Sequence, residues 1–238
     1  KTHRLLWSHP LYNHPAAPCS SCCTKYGVTV RNREDLGRII KEAFYIARTG
    51  RPGPVLVDLP KDVMGELGDA EYPEEVNIRG YKPNTHVHIG QLKRAIKMLS
   101  KAERPLFLLG GGVNIAHANQ EFTALAEKTN VPVVTTVMGR GAIPTNHPLY
   151  IGNVGMHGAY ACNMAVNECD LLFSIGTRFN DRITGKLHSF APKAQIVHID
   201  IDTAAISKNV QVDVPIVADA KEAVTRMLEY VTECETKD

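Results

Sequence analysis

The amino-acid sequence predicts an α/β fold, a Rossmann-like parallel sheet with helices on both of its faces. Short, mostly apolar runs of strand length recur along the chain, among them Leu106–Leu109, Val131–Thr136 and Leu171–Ile175. Runs of this kind are typical of strands that are buried on both faces. Segments with apolar residues at helical spacing lie between them, and glycine-rich stretches join the two. This alternation indicates a parallel sheet whose crossovers are helices.

The first predicted elements form a single helix–strand pair. A helix is predicted over residues 34–49, with Asn32 as its N-cap and Gly50 as its end. A buried strand is predicted over residues 55–59. One such pair cannot bury its own faces, so it must pack against further structure. Residues 61–84 then show no sustained period, and we interpret them as a linker.

A second, uninterrupted series of elements follows the linker. The predicted helices cover residues 88–101, 117–129, 158–168 and 220–231. The predicted strands cover residues 106–109, 131–136, 171–175, 195–200 and, at an edge of the sheet, 214–217. Residues 137–157 are predicted to form one long, glycine-rich loop. Long loops in compact domains are more often functional than not, which draws attention to this one.

Composition excludes several classes of protein. The formal net charge of +2 and the 22% of charged residues indicate neither a nucleic-acid nor an acidic partner, and no apolar run is long enough to cross a membrane. The six cysteines are best explained as reduced thiols of a cytoplasmic protein. No second Cys/His pair completes a metal site with Cys19 and Cys22. Residues 1–23 share no period with the rest and are interpreted as a disordered leader.

The stretch from Asp170 to Gly185 is the strongest candidate for a binding site. Its strand-length apolar run ends at Gly176, and Arg178 and Arg182 follow in a polar loop. Ligands of open α/β sheets bind beyond the carboxyl ends of the strands, and paired arginines suit a nucleotide diphosphate. The alternative is a loop held together by internal Arg–Asp pairs. The spacing of the residues favours neither interpretation over the other.

The remaining candidate positions each have a functional and a structural interpretation. Gly110–Gly112 could let backbone N–H groups approach a phosphate, but alone the triplet favours a tight strand-to-helix turn. Asp200 could accept hydrogen bonds from a ribose, whereas Asp202 is expected to cap a short helix over residues 204–208. Asp219 has the same two interpretations.

No nucleophile–base pair is visible in the sequence, so no catalytic residue is predicted. His157 has no Ser, Cys or metal partner beside it, and a positioning contact is the better interpretation of that residue. The residues alone therefore support a nucleotide-type binding site without catalytic groups.

Several motifs in order resemble the large catalytic subunit of acetolactate synthase. They are RPGPVLVDLPKDV, FLLGGGVN, VPVVTTVMGRGAIP, GNVGMHG, IGTRFNDRITG and IVHIDIDTAAISKN. The resemblance begins near Thr24 and extends to the C-terminus, which leaves residues 1–23 as an unmatched leader. It implies that residues 24–60 are the end of the first, pyrimidine-binding domain. It further implies that residues 61–84 are a linker and residues 85–238 a middle, FAD-binding-type domain.

The resemblance also implies an activity and its cofactors. Members of the family join two pyruvates, or pyruvate and 2-oxobutyrate, with loss of carbon dioxide, in branched-chain amino-acid biosynthesis. They use thiamine diphosphate and magnesium between the first and third domains, and FAD on the middle domain. They form homo-oligomers and have a regulatory subunit. Lys25 matches a lysine near the substrate channel, and the positions implied around FAD are Gly110, Gly111, Gly112, Thr136, Val137, Met138, Met156, His157, Gly176, Arg178, Asn180, Arg182, Asp200, Ile201 and Asp219.

The sequence departs from the family pattern in ways that limit the prediction. Asn180 stands where the family usually has Asp, Ala218 where it has Gly, and Pro15 where an arginine helps to hold FAD. The catalytic glutamate and the metal–diphosphate motif of the family are absent, so this chain alone is predicted to be inactive. The alternative is a non-catalytic middle domain of a related thiamine diphosphate enzyme that binds no flavin. An independent dehydrogenase is disfavoured because the G-x-G-x-x-G fingerprint is missing.

Overall fold

A computed structural model describes residues 22–69, 71–84 and 86–231. Contacts divide the chain into two compact units, residues 1–83 and 84–238, and each is described by itself. The predicted leader lies outside the described residues except for Cys22 and Cys23, which are exposed free cysteines. None of the helices in the described ranges has the length and apolar character needed to cross a membrane.

The first unit is built on a β–α–β arrangement. Strand β1 (Tyr26–Thr29) and strand β2 (Val55–Asp58) pair in parallel, and helix α1 (Leu36–Arg48) connects them. The short helix α2 (Lys61–Gly65) follows β2. Helix α1 and strand β2 confirm the predictions for those segments. Strand β1 was not predicted, because its four residues include a glycine and its pairing partner is distant in sequence.

A small apolar cluster holds the first unit together. Val30, Ile39 of α1 and Val63 of α2 are buried against one another. Helix α2 therefore packs into this unit, although its residues belong to the stretch that the sequence analysis interpreted as a linker. Helix α1 ends before Gly50, whose φ of +58° is a left-handed conformation that suits glycine.

The second unit contains a longer series of strands and helices. Its elements are α3 (Ile89–Leu99), β3 (Pro105–Leu109), α4 (Gly111–Ile115), α5 (Asn119–Thr129), β4 (Val133–Thr135), β5 (Tyr150–Asn153), α6 (Tyr160–Glu168), β6 (Leu171–Ile175), α7 (Asp181–Thr184), β7 (Gln195–Asp200), β8 (Val214–Val217) and α8 (Ala220–Tyr230). The strands form one six-stranded sheet in the order β5-β4-β3-β6-β7-β8, and every pair is parallel. The predicted parallel α/β fold is thereby confirmed, with β8 at an edge as expected.

Helices cover both faces of this sheet, because apolar side chains alternate along its buried strands. Phe107 and Phe173 point to one face, where the ring centroid of Phe107 lies 5.3 Å from that of Phe122 of α5 and 5.5 Å from that of Phe173. Leu108 and Leu172 point to the other face and pack in the cluster that includes residues of α6. The central strands are thus buried on both sides, as their unbroken apolar runs predict.

The segments over residues 137–157 and 204–208 also differ from the sequence-based expectation. The loop predicted over residues 137–157 contains the edge strand β5, which lacks an apolar run and includes Gly152 at a φ of +139°. A register shift at Val133 and Val134 interrupts its pairing with β4. The short helix predicted over residues 204–208 is a series of turns, and Ser207 has a φ of +53° that an α-helix cannot contain.

Candidate functional site

The strand order places a topological switch point between β3 and β6. From β3 the chain moves outward through β4 and β5, and it then returns to β6 and moves the other way through β7 and β8. Connections leave the carboxyl ends of β3 and β6 in opposite directions, which opens a crevice there. This crevice is the usual ligand site of such sheets, and it is where the sequence analysis placed its candidates.

The residues predicted around FAD all lie at or after the carboxyl ends of strands in the second unit. Because the strands are parallel, these ends lie along one edge of the sheet. By strand, the residues are Gly110, Gly111 and Gly112 after β3; Thr136, Val137 and Met138 after β4; Met156 and His157 after β5; Gly176, Arg178, Asn180 and Arg182 after β6; Asp200 and Ile201 at and after β7; and Asp219 after β8.

The glycine triplet is packed tightly against the turn that follows β6. The N–H of Gly110 donates to the carbonyl of Ile175 at 2.9 Å, and that of Gly112 donates to the carbonyl of Gly176 at 3.1 Å. A Cβ atom on Gly110 would lie 2.0 Å from the Gly176 oxygen, and one on Gly112 would lie 2.7 Å from the Gly176 Cα. These two glycines are therefore required by backbone packing, which is the tight-turn interpretation of the triplet.

Arg178 is an exposed cation without a partner among the described residues. In the described part of the chain its guanidinium has neither a hydrogen-bond acceptor nor a carboxylate partner. The neighbouring Arg182 and Asp181 approach to 3.9 Å, with 69% and 80% of their side chains exposed. Such an exposed pair contributes little stability. Internal ion pairs thus do not explain why an arginine occupies position 178. The alternative interpretation, a loop held together by internal Arg–Asp pairs, loses its main support.

Exposed apolar side chains follow β4 and β5 at the same edge of the sheet. Val137, Met138 and Met156 are 62%, 74% and 61% exposed, respectively. The turn that carries Met138 is held in place, because the Asn114 amide donates to the carbonyls of Met138 and Arg140 at 3.1 and 3.0 Å. Exposed apolar groups and exposed arginines at one edge of the sheet suit a ligand that has both an anionic part and a flat apolar part.

The loops after β5 and β6 are joined by their backbones. The N–H of Met156 donates to the carbonyl of Arg182 at 2.8 Å. Gly155 has a φ of +103°, and a Cβ atom there would lie 2.5 Å from the same carbonyl oxygen. His157 is exposed on this loop, with no nucleophile or hydrogen-bond partner among the described residues. His157 thus has no nucleophile to activate among the described residues, and its predicted positioning contact stays a prediction.

The candidate carboxylates are largely used by the protein itself. Asp219 accepts hydrogen bonds from the N–H groups of Lys221 and Glu222, so it caps helix α8. Asp200 is 8% exposed, and one of its oxygens accepts from the N–H of Asp202 at 2.8 Å. Asp202 accepts from the N–H of Ala204, as a turn-capping residue does. The second oxygen of Asp200 accepts no hydrogen bond from the described residues and is left for an additional donor.

Lys25 lies in the first unit and is bonded internally. Its Nζ atom donates to the carbonyls of Ile46 and Thr49 and to the hydroxyl of Tyr81, the last at 2.9 Å. An ammonium group has three protons, and all three are used here. The carbonyls belong to the last turn of α1 and the residue after it, so Lys25 caps this helix. Its predicted place at a substrate channel stays a prediction.

The sequence analysis did not single out Arg140 or His198. Arg140 is exposed in the turn after β4, between Gly139 and Gly141, and has no side-chain partner in the described ranges. A charged residue between two glycines just after a strand was the available signal. His198 is fully buried within β7. The sequence did not indicate a site residue there, because most residues of this strand are apolar. No group of three or more His, Cys, Asp or Glu side chains in the described residues could hold a metal ion.

Comparison with known proteins finds a family match over most of the second unit. Residues 92–227 match the family model of the thiamine pyrophosphate enzyme central domain. The TM-score to a solved structure from Mycobacterium smegmatis, titled as a thiamin diphosphate-dependent enzyme, is 0.75 at 23% sequence identity. That similarity covers 98% of this chain and 44% of the other, and at this identity it speaks to the fold alone.

Relatives with higher identity are considerably longer than this chain. A protein from Methanocaldococcus jannaschii, named a probable acetolactate synthase large subunit, is 50% identical over 218 residues, which is 90% of this chain and 37% of the relative. The acetolactate synthase large subunit of Corynebacterium glutamicum is 46% identical over 217 residues, 90% of this chain and 35% of the relative. The chain thus spans little more than a third of the length of these relatives.

Proposed function

The chain belongs to the thiamine pyrophosphate enzyme family, whose central domain it contains, and from this premise we propose that it supplies the FAD-binding middle domain of an acetolactate synthase large subunit. In the proposal, residues 85–238 are that domain, residues 24–60 end the pyrimidine-binding domain, and residues 61–84 connect the two. Identities of 46–50% to acetolactate synthase large subunits support the proposed parent enzyme.

The observation that carries the proposal is the exposed Arg178 at the switch point, which has no partner in the described ranges. A guanidinium binds a diphosphate through charge-assisted hydrogen bonds, and Arg182 is a second cation in the same loop. The exposed side chains of Val137, Met138 and Met156 offer apolar contact to a flavin ring, and Asp200 retains one oxygen for a ribose hydroxyl. This donor set suits FAD and does not suit a metal ion.

The proposed parent activity is the condensation of two pyruvates, or of pyruvate and 2-oxobutyrate, with decarboxylation. Thiamine diphosphate and magnesium would be held by parts of the full-length enzyme outside this sequence. The remaining domains of the subunit, a second copy in a homo-oligomer and a regulatory subunit are the proposed partners. The proposed location is the cytoplasm, which the free cysteines among the described residues support.

The test is an FAD titration followed by flavin fluorescence, on the wild-type chain and on Arg178→Ala. A charge-assisted hydrogen bond contributes about 1.5–3 kcal/mol, so loss of Arg178 should weaken binding by roughly ten- to hundredfold. Arg226→Ala is the matched control, because Arg226 lies on α8 and pairs with Glu222 and Glu229. Equal affinity of wild type and Arg178→Ala, with a lower Tm for the variant, would make Arg178 a structural residue.

The second candidate function is a middle domain that takes no flavin. It gains weight from the glycine triplet, which packs against Gly176 and needs no ligand to explain it. A wild-type chain that binds no FAD while remaining folded by circular dichroism would favour this alternative.

A further inference from the structure

We propose that His198 is a positioning residue that holds the turn from Gly176 to Asn180 and so presents Arg178 to the anionic part of the ligand. The proposal deepens the proposed function, because it names the residue on which the geometry of Arg178 depends. His198 lies beneath the site, within strand β7, and is fully buried. It therefore acts through its neighbours and not by contact with the ligand.

One imidazole ring contacts both sequence neighbours of Arg178. The Nε2 atom of His198 lies 2.7 Å from the carbonyl oxygen of Thr177, close enough for the N–H to donate a short hydrogen bond. The same ring meets the ring of Phe179 edge to face, at a centroid distance of 4.9 Å. Thr177 and Phe179 immediately precede and follow Arg178, so His198 fixes the backbone on either side of it.

The turn needs this support because its backbone is strained. Gly176 has a φ of +63° and Phe179 a φ of +45°, so two left-handed residues flank the Thr177–Arg178 pair. A bulky residue such as Phe179 adopts that conformation only where its surroundings hold it. Besides His198, the amide of Asn209 donates to the Phe179 carbonyl at 2.9 Å. Buried contacts thus hold one side of the turn, and the guanidinium of Arg178 is exposed on its other side.

A histidine at position 198 lowers the stability of the fold, so packing alone does not explain why this residue type is present. The Nδ1 atom of His198 is buried with no hydrogen-bond partner in the described part of the chain. Donation by Nε2 leaves Nδ1 as an unsatisfied acceptor, and a buried unsatisfied group destabilises the fold. The second carboxylate oxygen of Asp200 lies 3.8 Å from Nε2, too far for a hydrogen bond. The bond to Thr177 is thus the polar contact that accounts for an imidazole in this strand.

Two substitutions separate positioning from packing. His198→Leu removes the donor and keeps an apolar side chain in the core. His198→Gln carries an N–H donor at about the position of Nε2 and should restore the bond to Thr177. Val197→Ala is the matched control, because Val197 is the adjacent residue of β7, buried in the cluster on the other face of the sheet. Val197→Ala should lower the Tm without changing the conformation of the turn.

The rate of tryptic cleavage after Arg178 measures how firmly the backbone of the turn is held, and the measurement requires no ligand. In the wild type the Arg178–Phe179 bond should resist trypsin, since Phe179 is buried. In His198→Leu, cleavage of this bond should become about tenfold faster relative to cleavage after Arg226. A tenfold change is the effect expected from the loss of one hydrogen bond. In parallel, its FAD affinity should fall by roughly ten- to hundredfold, the range found when supporting partners of metal ligands are removed.

The outcomes separate this inference from the proposed function. Faster cleavage and weaker FAD binding in His198→Leu, both restored in His198→Gln and absent in Val197→Ala, support the positioning role. Unchanged cleavage after Arg178 in His198→Leu overturns it, and so does an equal increase in Val197→Ala. If the wild type binds no FAD, the proposed function fails, while the cleavage rates still decide whether His198 holds the turn.

Discussion

Cys162 and Cys169 illustrate how burial controls the chemistry of single residues in this protein. Burial raises the pKa of the Cys162 thiol, and burial together with the nearby Asp170 raises the pKa of Cys169 to about 12. Cys22 and Cys23 are exposed in contrast. Since the thiolate is the reactive form, the two buried cysteines should be inert at pH 8.

The corresponding experiment is alkylation with iodoacetamide at pH 8, followed by peptide mass spectrometry. Cys22 and Cys23 should be modified in the folded protein, and Cys162 and Cys169 only after denaturant is added. Modification of Cys169 at the same rate as Cys22 without denaturant would contradict its burial.

Glu121 gives the protein a defined response to acid. The pKa of its carboxyl group is lowered, chiefly because Lys221 donates a hydrogen bond to it at 2.9 Å. The folded-state pKa lies below the unfolded value of about 4.5. The interaction therefore stabilises the fold above that pH, and the stability is lost as the pH falls through the folded-state pKa.

Glu121→Gln should accordingly lower the Tm at pH 7 and flatten the dependence of Tm on pH below about 4.5. Differential scanning calorimetry between pH 3 and pH 7 measures both effects. Glu103→Gln is the control, because Glu103 is exposed and its side chain forms no ion pair in the described residues. A pH profile of Glu121→Gln that matches the wild type would show that the pair with Lys221 contributes no stability.

At the scale of elements, the contact between the turns after β3 and β6 is the most demanding part of the fold. Gly110→Ala would bring a methyl group within 2.0 Å of the Gly176 carbonyl oxygen, so one of the two backbones must move. Such overpacking should lower the free energy of unfolding by about 1–3 kcal/mol, measured by urea denaturation. Gly65→Ala is the control, because its new methyl would meet nothing within 4 Å. An equally stable Gly110→Ala would contradict the close approach.

The predictability of each strand from sequence follows its apolar pattern. Strands β6, β7 and β8 were predicted at their observed bounds, because each is a mostly apolar segment with clear ends, including the short edge strand β8. Strand β5 was missed, since an edge strand needs no such run and this one includes a left-handed glycine. Helix α4 was missed because its glycine-rich start reads as a turn. These elements are specified by tertiary pairing and not by local pattern.

The site was predictable to the extent that strand ends specify it. A glycine or polar residue just after a strand is visible in the sequence, and that signal located Arg178 and Asp200. Their surroundings were not visible, because the bond from His198 to Thr177 joins residues that are distant in sequence. The lack of a partner for Arg178 likewise depends on where every other carboxylate lies, which only the folded chain determines.

At the scale of the whole molecule, we expect this chain alone, supplied with thiamine diphosphate, magnesium and FAD, to make no acetolactate from pyruvate. The catalytic glutamate and the metal–diphosphate motif that the resemblance implies for the family have no counterpart in this sequence, and thiamine chemistry requires the protein to bind and orient that cofactor. A colorimetric assay for acetolactate measures this, with a full-length relative as the positive control. Turnover by a homogeneous sample of this chain would contradict the prediction.

The parallel pairing of β3 with β6 also constrains how the second unit is synthesised. Pro105 pairs with Leu171, so the central ladder of the sheet joins segments separated by β4, β5 and α6. During translation one edge of β3 therefore stays unpaired until β6 has left the ribosome. Closing such a distant contact is slow, and an apolar strand with a free edge is prone to associate with other chains. Nascent chains of this protein are thus most vulnerable to aggregation in the interval before Ile175 has left the ribosome, when chaperones would have the greatest effect on its yield.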